Sequence, residues 1–467
     1  MTTPASAERP GGLYAAVRVV ARFWVWFLFK RVDVVHAERV PAAGPVLLCI
    51  THPNNFVDSL LVGAVLPRKV HYLATAALFR NPVLARFLTA CGAIPVYRRQ
   101  DDPDRMDRNA DTFAACWEAL ARGRVIGIYP EGTTHAETRV QRIRTGAARI
   151  ALEYEARRAA AGAPPLTVVP VGLSFEARKS FRARVRVAFG EPVPVAAYAP
   201  AYRDDPVRAV GTLTAAIQWG MQAQVLHVER PERAEIVRAV DELYRGELVR
   251  ELEAERGLAP ARVDPFRLGQ SIADAVAHFE ERDPARVARL WADIQRYRAL
   301  LAAWQVRDEA VRQLGRPTPG GALRRSGEAS LGLPLFAYGA AVNALPYLLP
   351  RLLARRLADK ETDYATTRLL ASVIAFPLFW GLETWVVGTL LGWAWGLAFL
   401  VSLPLSGLVA YRYLGGVGRL RRQLRFGLLA LRRRPAAGRL LAMRQAIVAE
   451  LERAKDDYLA ATRGSTF

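Results

Sequence analysis

Cysteine is nearly absent from this sequence: Cys49, Cys91 and Cys116 are the only three, set in apolar surroundings and without metal-ligand spacing. That excludes a disulfide framework and a structural zinc site, and leaves buried free thiols as the expectation. Acidic residues are also scarce, 44 Asp and Glu against 65 Lys and Arg, for a formal charge of +21. Such a balance excludes an acidic, solvating chain and calls for an anionic partner. No Gly-x-Ser-x-Gly elbow occurs, which removes the usual setting of a serine nucleophile. The first ten residues are polar, and no small-residue cleavage site follows the apolar stretch behind them, so no secretory signal peptide is expected.

What is plentiful is apolar surface. Hydrophobic residues make up 52% of a chain that is also 23% charged, a mixture expected of a globular part joined to membrane segments. Nearly all the basic residues are Arg. This suits forked recognition of phosphate, although a bias to Arg follows genome composition equally well. Runs such as Arg419-Leu420-Arg421-Arg422 and Arg432-Arg433-Arg434 flank apolar segments, so the expected partner is anionic membrane lipid rather than nucleic acid.

Five stretches follow one another. Residues 1–35 hold an apolar, aromatic segment, Leu13 to Phe29, in which Arg18 and Arg22 share one helical face. It is too short and too charged to span a bilayer, which leaves an interfacial helix or one packed on a core. Residues 36–200 alternate strand patterns (45–51, 70–75, 93–97, 124–130, 166–175 and 184–190) with helical ones (110–123 and 145–158). The expectation is an α/β domain with a largely parallel sheet flanked by helices, ligands gathering at the carboxyl ends of its strands. Residues 201–330 are charged and helical, an expected solvent-exposed insert.

Membrane segments are expected over 331–415. Leu331 to Leu349 carries Pro334, Asn343 and Pro346, which fits a span or a broken, re-entrant segment. Leu369 to Tyr411 has no Lys or Arg in 43 residues and a single acid, Glu383, expected near the outer interface. With a turn near Gly392 and basic flanks at Lys360, Arg368, Arg412 and Arg419, it reads as a hairpin with both ends cytoplasmic. The basic, amphipathic tail at 416–467 suits the same leaflet.

Four polar blocks fall where strand patterns end. The first is Thr51-His52-Pro53-Asn54-Asn55-Phe56-Val57-Asp58, where an imidazole near a carboxylate suits abstraction of a hydroxyl proton. A helix start capped by Asn55 or Asp58 explains the same letters. In the second, Gly92 to Arg99, a strand ends in Arg98, a bidentate phosphate ligand or a merely solvated Arg. The third is Tyr129-Pro130-Glu131-Gly132-Thr133-Thr134-His135, where Gly132 admits a ligand close to the backbone and Glu131 can orient a hydroxyl or an Arg, unless this is an ordinary turn. Arg144-Thr145-Gly146 then opens a helix, a seat for an anion. The fourth, Val168 to Gly172, is an apolar wall bent at Pro170.

In this order the four blocks resemble the glycerol-3-phosphate and lysophosphatidate acyltransferase superfamily, with its His-x4-Asp, Gly-x-Ile/Phe-x-x-x-Arg, Pro-Glu-Gly-Thr and Pro-centred blocks, over about residues 40–190. The resemblance implies His52 as general base oriented by Asp58, with Asn55, Arg98, Glu131, Gly132, Thr133 and Arg144 around the acceptor. It implies acyl-CoA or acyl carrier protein as donor, with glycerol-3-phosphate, dihydroxyacetone phosphate or 1-acylglycerol-3-phosphate as acceptor. No metal and no bound cofactor are implied, and the setting is phospholipid biosynthesis at the cell membrane, with the site on its cytoplasmic side. One departure stands out: five residues separate His52 from Asp58, where the family usually has four. The extra residue lies in a loop that can bulge, and this spacing resembles a branch that acylates glycerol phosphate or dihydroxyacetone phosphate. Two rival readings are a lipid-ester hydrolase using Ser59 or Ser174, and a membrane-surface lipid-binding protein without turnover.

Overall fold

Val46–Ile50 (β2) is the strand around which the sheet-bearing part of the chain is organised, and all five of its side chains are fully buried. Strand alternation sends Leu47 and Cys49 to one face and Val46, Leu48 and Ile50 to the other, each into its own hydrophobic cluster. A strand covered on both faces reads as an unbroken apolar run, as this one does. The computed structural model describes residues 11–97, 103–135, 137, 139–176, 181–226, 228, 230–256, 265–314, 319–360, 362–432 and 434–463. Arg98 lies outside the described residues. The chain divides into two compact units, 1–227 with 353–370, and 228–352 with 371–467.

In the first unit β2 is joined by β1 (Phe29–Val35), β3 (Val70–Thr75), β4 (Ile94–Val96), β5 (Val125–Ile128), β6 (Thr167–Phe175) and β7 (Ala183–Phe189). The sheet runs β1-β7-β6-β2-β5-β3-β4, with every neighbouring pair parallel except β6 and β7. The largely parallel sheet expected from the alternating pattern is therefore what forms. One strand, β1, has no counterpart in the sequence reading. It is an edge strand, paired only with β7, and Lys30, Arg31 and Asp33 break its apolar pattern.

One face of the sheet is covered by α4 (Asn109–Ala121), α5 (Gly146–Ala161) and, after the short α6 (Ala199–Asp204), α7 (Pro206–Gln222); Leu120, Ile150, Leu213 and Ile217 pack there with Leu47, Ile126 and Val168. Each such fully buried side chain contributes about 1.5–3 kcal/mol of hydrophobic stabilisation. Residues 206–222 thus belong with the sheet, because α7 lays a stripe of Ala209, Leu213, Ile217 and Met221 against it. Its Gly220 lies so close to β6 that a Cβ there would stand 2.6 Å from Pro170 Cγ.

The opposite face is covered by α2 (Phe56–Val65), with α1 (Gly12–Leu28) packed beside α2 and α3 (Pro82–Cys91). The two Arg of α1 donate to carbonyls at the end of α2, Arg18 Nη1 to Pro67 O at 2.6 Å and Arg22 Nε to Ala64 O at 3.1 Å. Cations there meet the negative end of the helix dipole. Trp24 and Phe27 are buried, whereas Val19, Val20, Phe23 and Trp26 stay exposed, so α1 packs on the core with one side only.

The second unit is helical: α8 (Pro231–Arg256), α9 (Pro265–Arg282), α10 (Pro284–Ala303), α11 (Asp308–Leu314), α14 (Trp393–Arg432), α15 (Arg434–Arg463) and most of α12 (Pro319–Leu357) and α13 (Asp363–Leu391). The stretches Gly332–Leu357, Asp363–Leu391 and Trp393–Gly415 are long and apolar enough to cross a membrane. The first stays helical through Pro334, Pro346 and Pro350, and Gly392, at φ +95°, separates the other two. Asn343 ties these helices together, donating to Gly339 O at 3.0 Å and Leu403 O at 3.3 Å and accepting from Trp380 Nε1 at 3.2 Å. The tail from 434 onward packs part of its apolar stripe within this unit. Leu440, Ile447 and Leu451 of α15 are buried against α8 to α11, and Arg444 donates to Asp308 at 2.8 Å.

Candidate active site

The site begins where β2 stops. Thr51 locks that strand end to β6: its N–H donates to Val171 O at 3.0 Å, and its hydroxyl accepts from Leu173 N at 2.9 Å. The next residue, His52, therefore leaves the sheet from a fixed point at the carboxyl edge of a central strand. Its Nδ1 lies 2.9 Å from Asp58 Oδ2, on the first turn of α2. Asp58 is fully buried, and the same oxygen accepts from Asn54 N at 2.8 Å. A carboxylate so placed holds the proton on Nδ1 and leaves Nε2 as the nitrogen that can take another.

The five-residue spacing is absorbed at Asn55. Its backbone sits at φ 52°, ψ −129°, a conformation that glycine adopts freely and other residues hold at a cost of about 1–3 kcal/mol. The reversal lets the Asp58 N–H reach Asn55 O at 3.1 Å and turns the carboxylate back to the imidazole. The Asn55 side chain donates from Nδ2 to Asp363 Oδ1 at 3.0 Å, within the same unit of the chain.

Glu131 is 4% exposed, and its carboxylate is spent inside the protein. Oε1 accepts from the His52 N–H at 3.0 Å, while Oε2 accepts from Gln141 N at 2.9 Å and meets His135 Nε2. The residue thus braces the main chain of His52 against the loop after β5. Sequence reasoning gave His135 and Gln141 no role. The spacing of His135 four positions after Glu131 was the one available signal.

Tyr129, also at the end of β5, stacks on the His52 ring with centroids 3.9 Å apart. Burial holds its phenol well above the ordinary value, helped by the Asp58 charge, and a bond of 2.6 Å joins it to Ser59 Oγ. Ser59 is thereby engaged with a phenol, and Ser174 lies on β6 opposite Arg186. Among the described residues neither serine is hydrogen-bonded to a histidine, as a hydrolase nucleophile would be.

Gly132 and Arg144 come together as well. Gly132 has φ +70°, and a Cβ there would stand 2.6 Å from Arg144 Nε, so the guanidinium stem runs directly over the turn. Arg144 N donates to Pro130 O at 2.8 Å, which fixes this contact at the entry to α5. Thr133 lies half-buried in the same turn. Among the described residues no cluster of three or more His, Cys, Asp and Glu is placed to hold a metal ion.

Comparison with known proteins adds names to this arrangement. Residues 31–174 match the family model described as Acyltransferase. The 1-acyl-sn-glycerol-3-phosphate acyltransferase of Bacillus subtilis is 31% identical over 107 residues, 23% of this chain and 50% of that protein. Glycerol-3-phosphate O-acyltransferase 2 of Saccharomyces cerevisiae is 30% identical over 146 residues, 30% of this chain and 19% of the yeast protein. The chain thus spans half the length of the first relative and under a fifth of the second. The crystal structure of the 1-acyl-sn-glycerophosphate (LPA) acyltransferase PlsC from Thermotoga maritima aligns with a TM-score of 0.31 and 18% identity, covering 43% of this chain and 80% of that one.

Proposed function

We propose, on the premise that the chain carries an acyltransferase domain over residues 31–174, that it moves a fatty acyl group from a thioester donor to the hydroxyl of a phosphate-bearing glycerol acceptor at a membrane. The observation that carries this reading is the 2.9 Å contact between His52 Nδ1 and buried Asp58 at the carboxyl edge of the sheet. His52 Nε2 takes the proton of the acceptor hydroxyl as its oxygen attacks the thioester carbonyl. The tetrahedral intermediate collapses, the carbon–sulfur bond breaks, and the imidazolium returns its proton to the departing thiolate. No covalent acyl-enzyme is required. Asp58 fixes the tautomer and stabilises the imidazolium, and Glu131 fixes the main chain from which the ring projects.

The phosphate of the acceptor is assigned to Arg144 over Gly132, together with Arg98, with Asn55 and Thr133 as polar neighbours. A small acceptor, glycerol-3-phosphate or dihydroxyacetone phosphate, is favoured by the spacing of His52 and Asp58 and by the name of the yeast relative. A specific observation supports 1-acylglycerol-3-phosphate as a second reading: the exposed Val19, Val20, Phe23 and Trp26 of α1, with Val83, Leu84 and Phe87 of α3, form an apolar surface suited to a lipid substrate. Acyl-CoA and acyl carrier protein both fit as donor. Basic flanks at Lys360, Arg368 and Arg412 support a site on the cytoplasmic side of the cell membrane.

The test is acyl transfer by the detergent-purified full chain, given labelled acyl-CoA or acyl carrier protein with each of the three acceptors, beside His52→Ala. Product from one acceptor that disappears in the variant establishes the reaction and its substrate. Full turnover in well-folded His52→Ala rules the mechanism out.

A further inference from the structure

The loop between His52 and Asp58 is fastened by residues more than 300 positions away. Asn55 Nδ2 donates to Asp363 Oδ1 at 3.0 Å, and Thr366 Oγ1 donates to Asn54 O at 3.2 Å. Both partners stand in the first turn of α13, and residues 353–370 belong to the same unit as the sheet. The two bonds grip consecutive residues at the point where the backbone is least comfortable, Asn55 with its positive φ. Asn54 in turn supplies a main-chain donor to Asp58 Oδ2, the oxygen that faces the His52 ring.

We propose that Asp363 and Thr366 are positioning residues for the acyl-transfer site, a clasp that holds the catalytic loop in its strained form. The inference rests on the reading of His52 as the base. Released from Asp363, Asn55 is free to relax toward an ordinary backbone conformation. That movement carries the Asn54 N–H off Asp58, and the carboxylate loses the donor that fixes it behind the imidazole. The reaction then slows because the base is misoriented, while Arg144, over Gly132, still holds the acceptor phosphate. The same helix, Asp363–Leu391, is long and apolar enough to cross a membrane. The clasp therefore makes turnover conditional on the correct seating of the first turn of a membrane helix, a form of control that no residue of the acyltransferase motifs provides.

The experiment compares Asp363→Ala, Asp363→Asn, Thr366→Val and Thr366→Ser in the full chain, with His52→Ala as baseline. The Asn and Ser variants keep an acceptor for Asn55 Nδ2 and a hydroxyl for Asn54 O. The expected result is a fall in kcat on the order of tenfold to a hundredfold for Asp363→Ala and Thr366→Val. Acceptor KM should change less than about twofold, with most of kcat restored in the Asn and Ser variants. Amide exchange over residues 52–58 should quicken in Asp363→Ala. Wild-type kcat in both disruptive variants overturns the clasp, as does a change confined to KM, which would mean direct substrate contact. If Asp363→Ala does not fold, the contrast between Thr366→Val and Thr366→Ser decides. If the wild type transfers no acyl group to any acceptor, the functional reading falls on its own. Exchange at 52–58 in Asp363→Ala still judges the clasp, which unchanged rates would sink.

Discussion

The main-chain N–H of His52 donates to Glu131 Oε1 at 3.0 Å across 79 positions of sequence, so this histidine is held through its backbone as well as its ring. Replacing Glu131 with Gln leaves one oxygen where two oxygens serve three donors, and turns an amide NH2 toward at least one of them. Leaving a buried donor unanswered costs about 1–3 kcal/mol. Glu131→Gln is expected to lose activity at least about tenfold and to inactivate at lower temperature, measured by residual transfer after a heat step. Unaltered heat resistance would show that the carboxylate is no brace.

At Gly132 the expected outcome is a change in substrate affinity. Gly132→Ala meets two obstacles, a φ of +70° and Arg144 Nε 2.6 Å from the new Cβ. The guanidinium has to give way, and with it the phosphate contact proposed for Arg144. Acceptor KM should rise on the order of tenfold with a smaller change in kcat, in steady-state kinetics against the phosphorylated acceptor.

Thiol chemistry gives a readout with a definite pH sign. Burial pushes the Cys49 and Cys116 thiols up to about 12, whereas Cys91 is only partly buried. Because the thiolate is the reactive form, roughly one Cys49 thiol in ten thousand is available at pH 8, against about one in four for a free thiol. Iodoacetamide at pH 8 should therefore modify Cys91 alone in the folded protein and all three after denaturation, counted by intact mass. Protonation in the folded state also means that the stability contributed by these two thiols is whole below about pH 8.5 and declines as pH rises toward 12.

Within the apolar helices the weak point is Asn343. Asn343→Leu removes its bonds to Gly339 O and Leu403 O and the one received from Trp380 Nε1. Such bonds average about 0.6 kcal/mol in membrane proteins, so the expected loss is about 1–2 kcal/mol. Gly339→Val should cost more, since any side chain there runs into the backbone of Ser406. Both are checked by thermal inactivation in one detergent, and the order of the two variants is the decisive point.

The fold was most legible where burial is most complete. β2 and β6 announce themselves through unbroken apolar runs, and the pairing of His52 with Asp58 follows from their place after β2. β1 stayed hidden because an edge strand needs little apolar pattern, and FKRVDVV offers little. The bracing role of Glu131 was illegible for a different reason: two of its donors are main-chain N–H groups, which every residue possesses and no letter displays. Asp363 and Thr366 carry no local signal at all, since what makes them matter is where the chain returns to after 308 positions.

That return imposes an order on the making of the protein. All seven strands of the sheet are in hand once Phe189 has been synthesised, but the bond from Asn55 cannot form until Asp363 exists. At a ribosomal pace of 5–20 residues per second, a gap of 308 residues is about 15–60 s. For that interval the nascent chain has His52 and Asp58 but not the anchor for the loop between them. A truncated product ending after the sheet would remain in that state permanently.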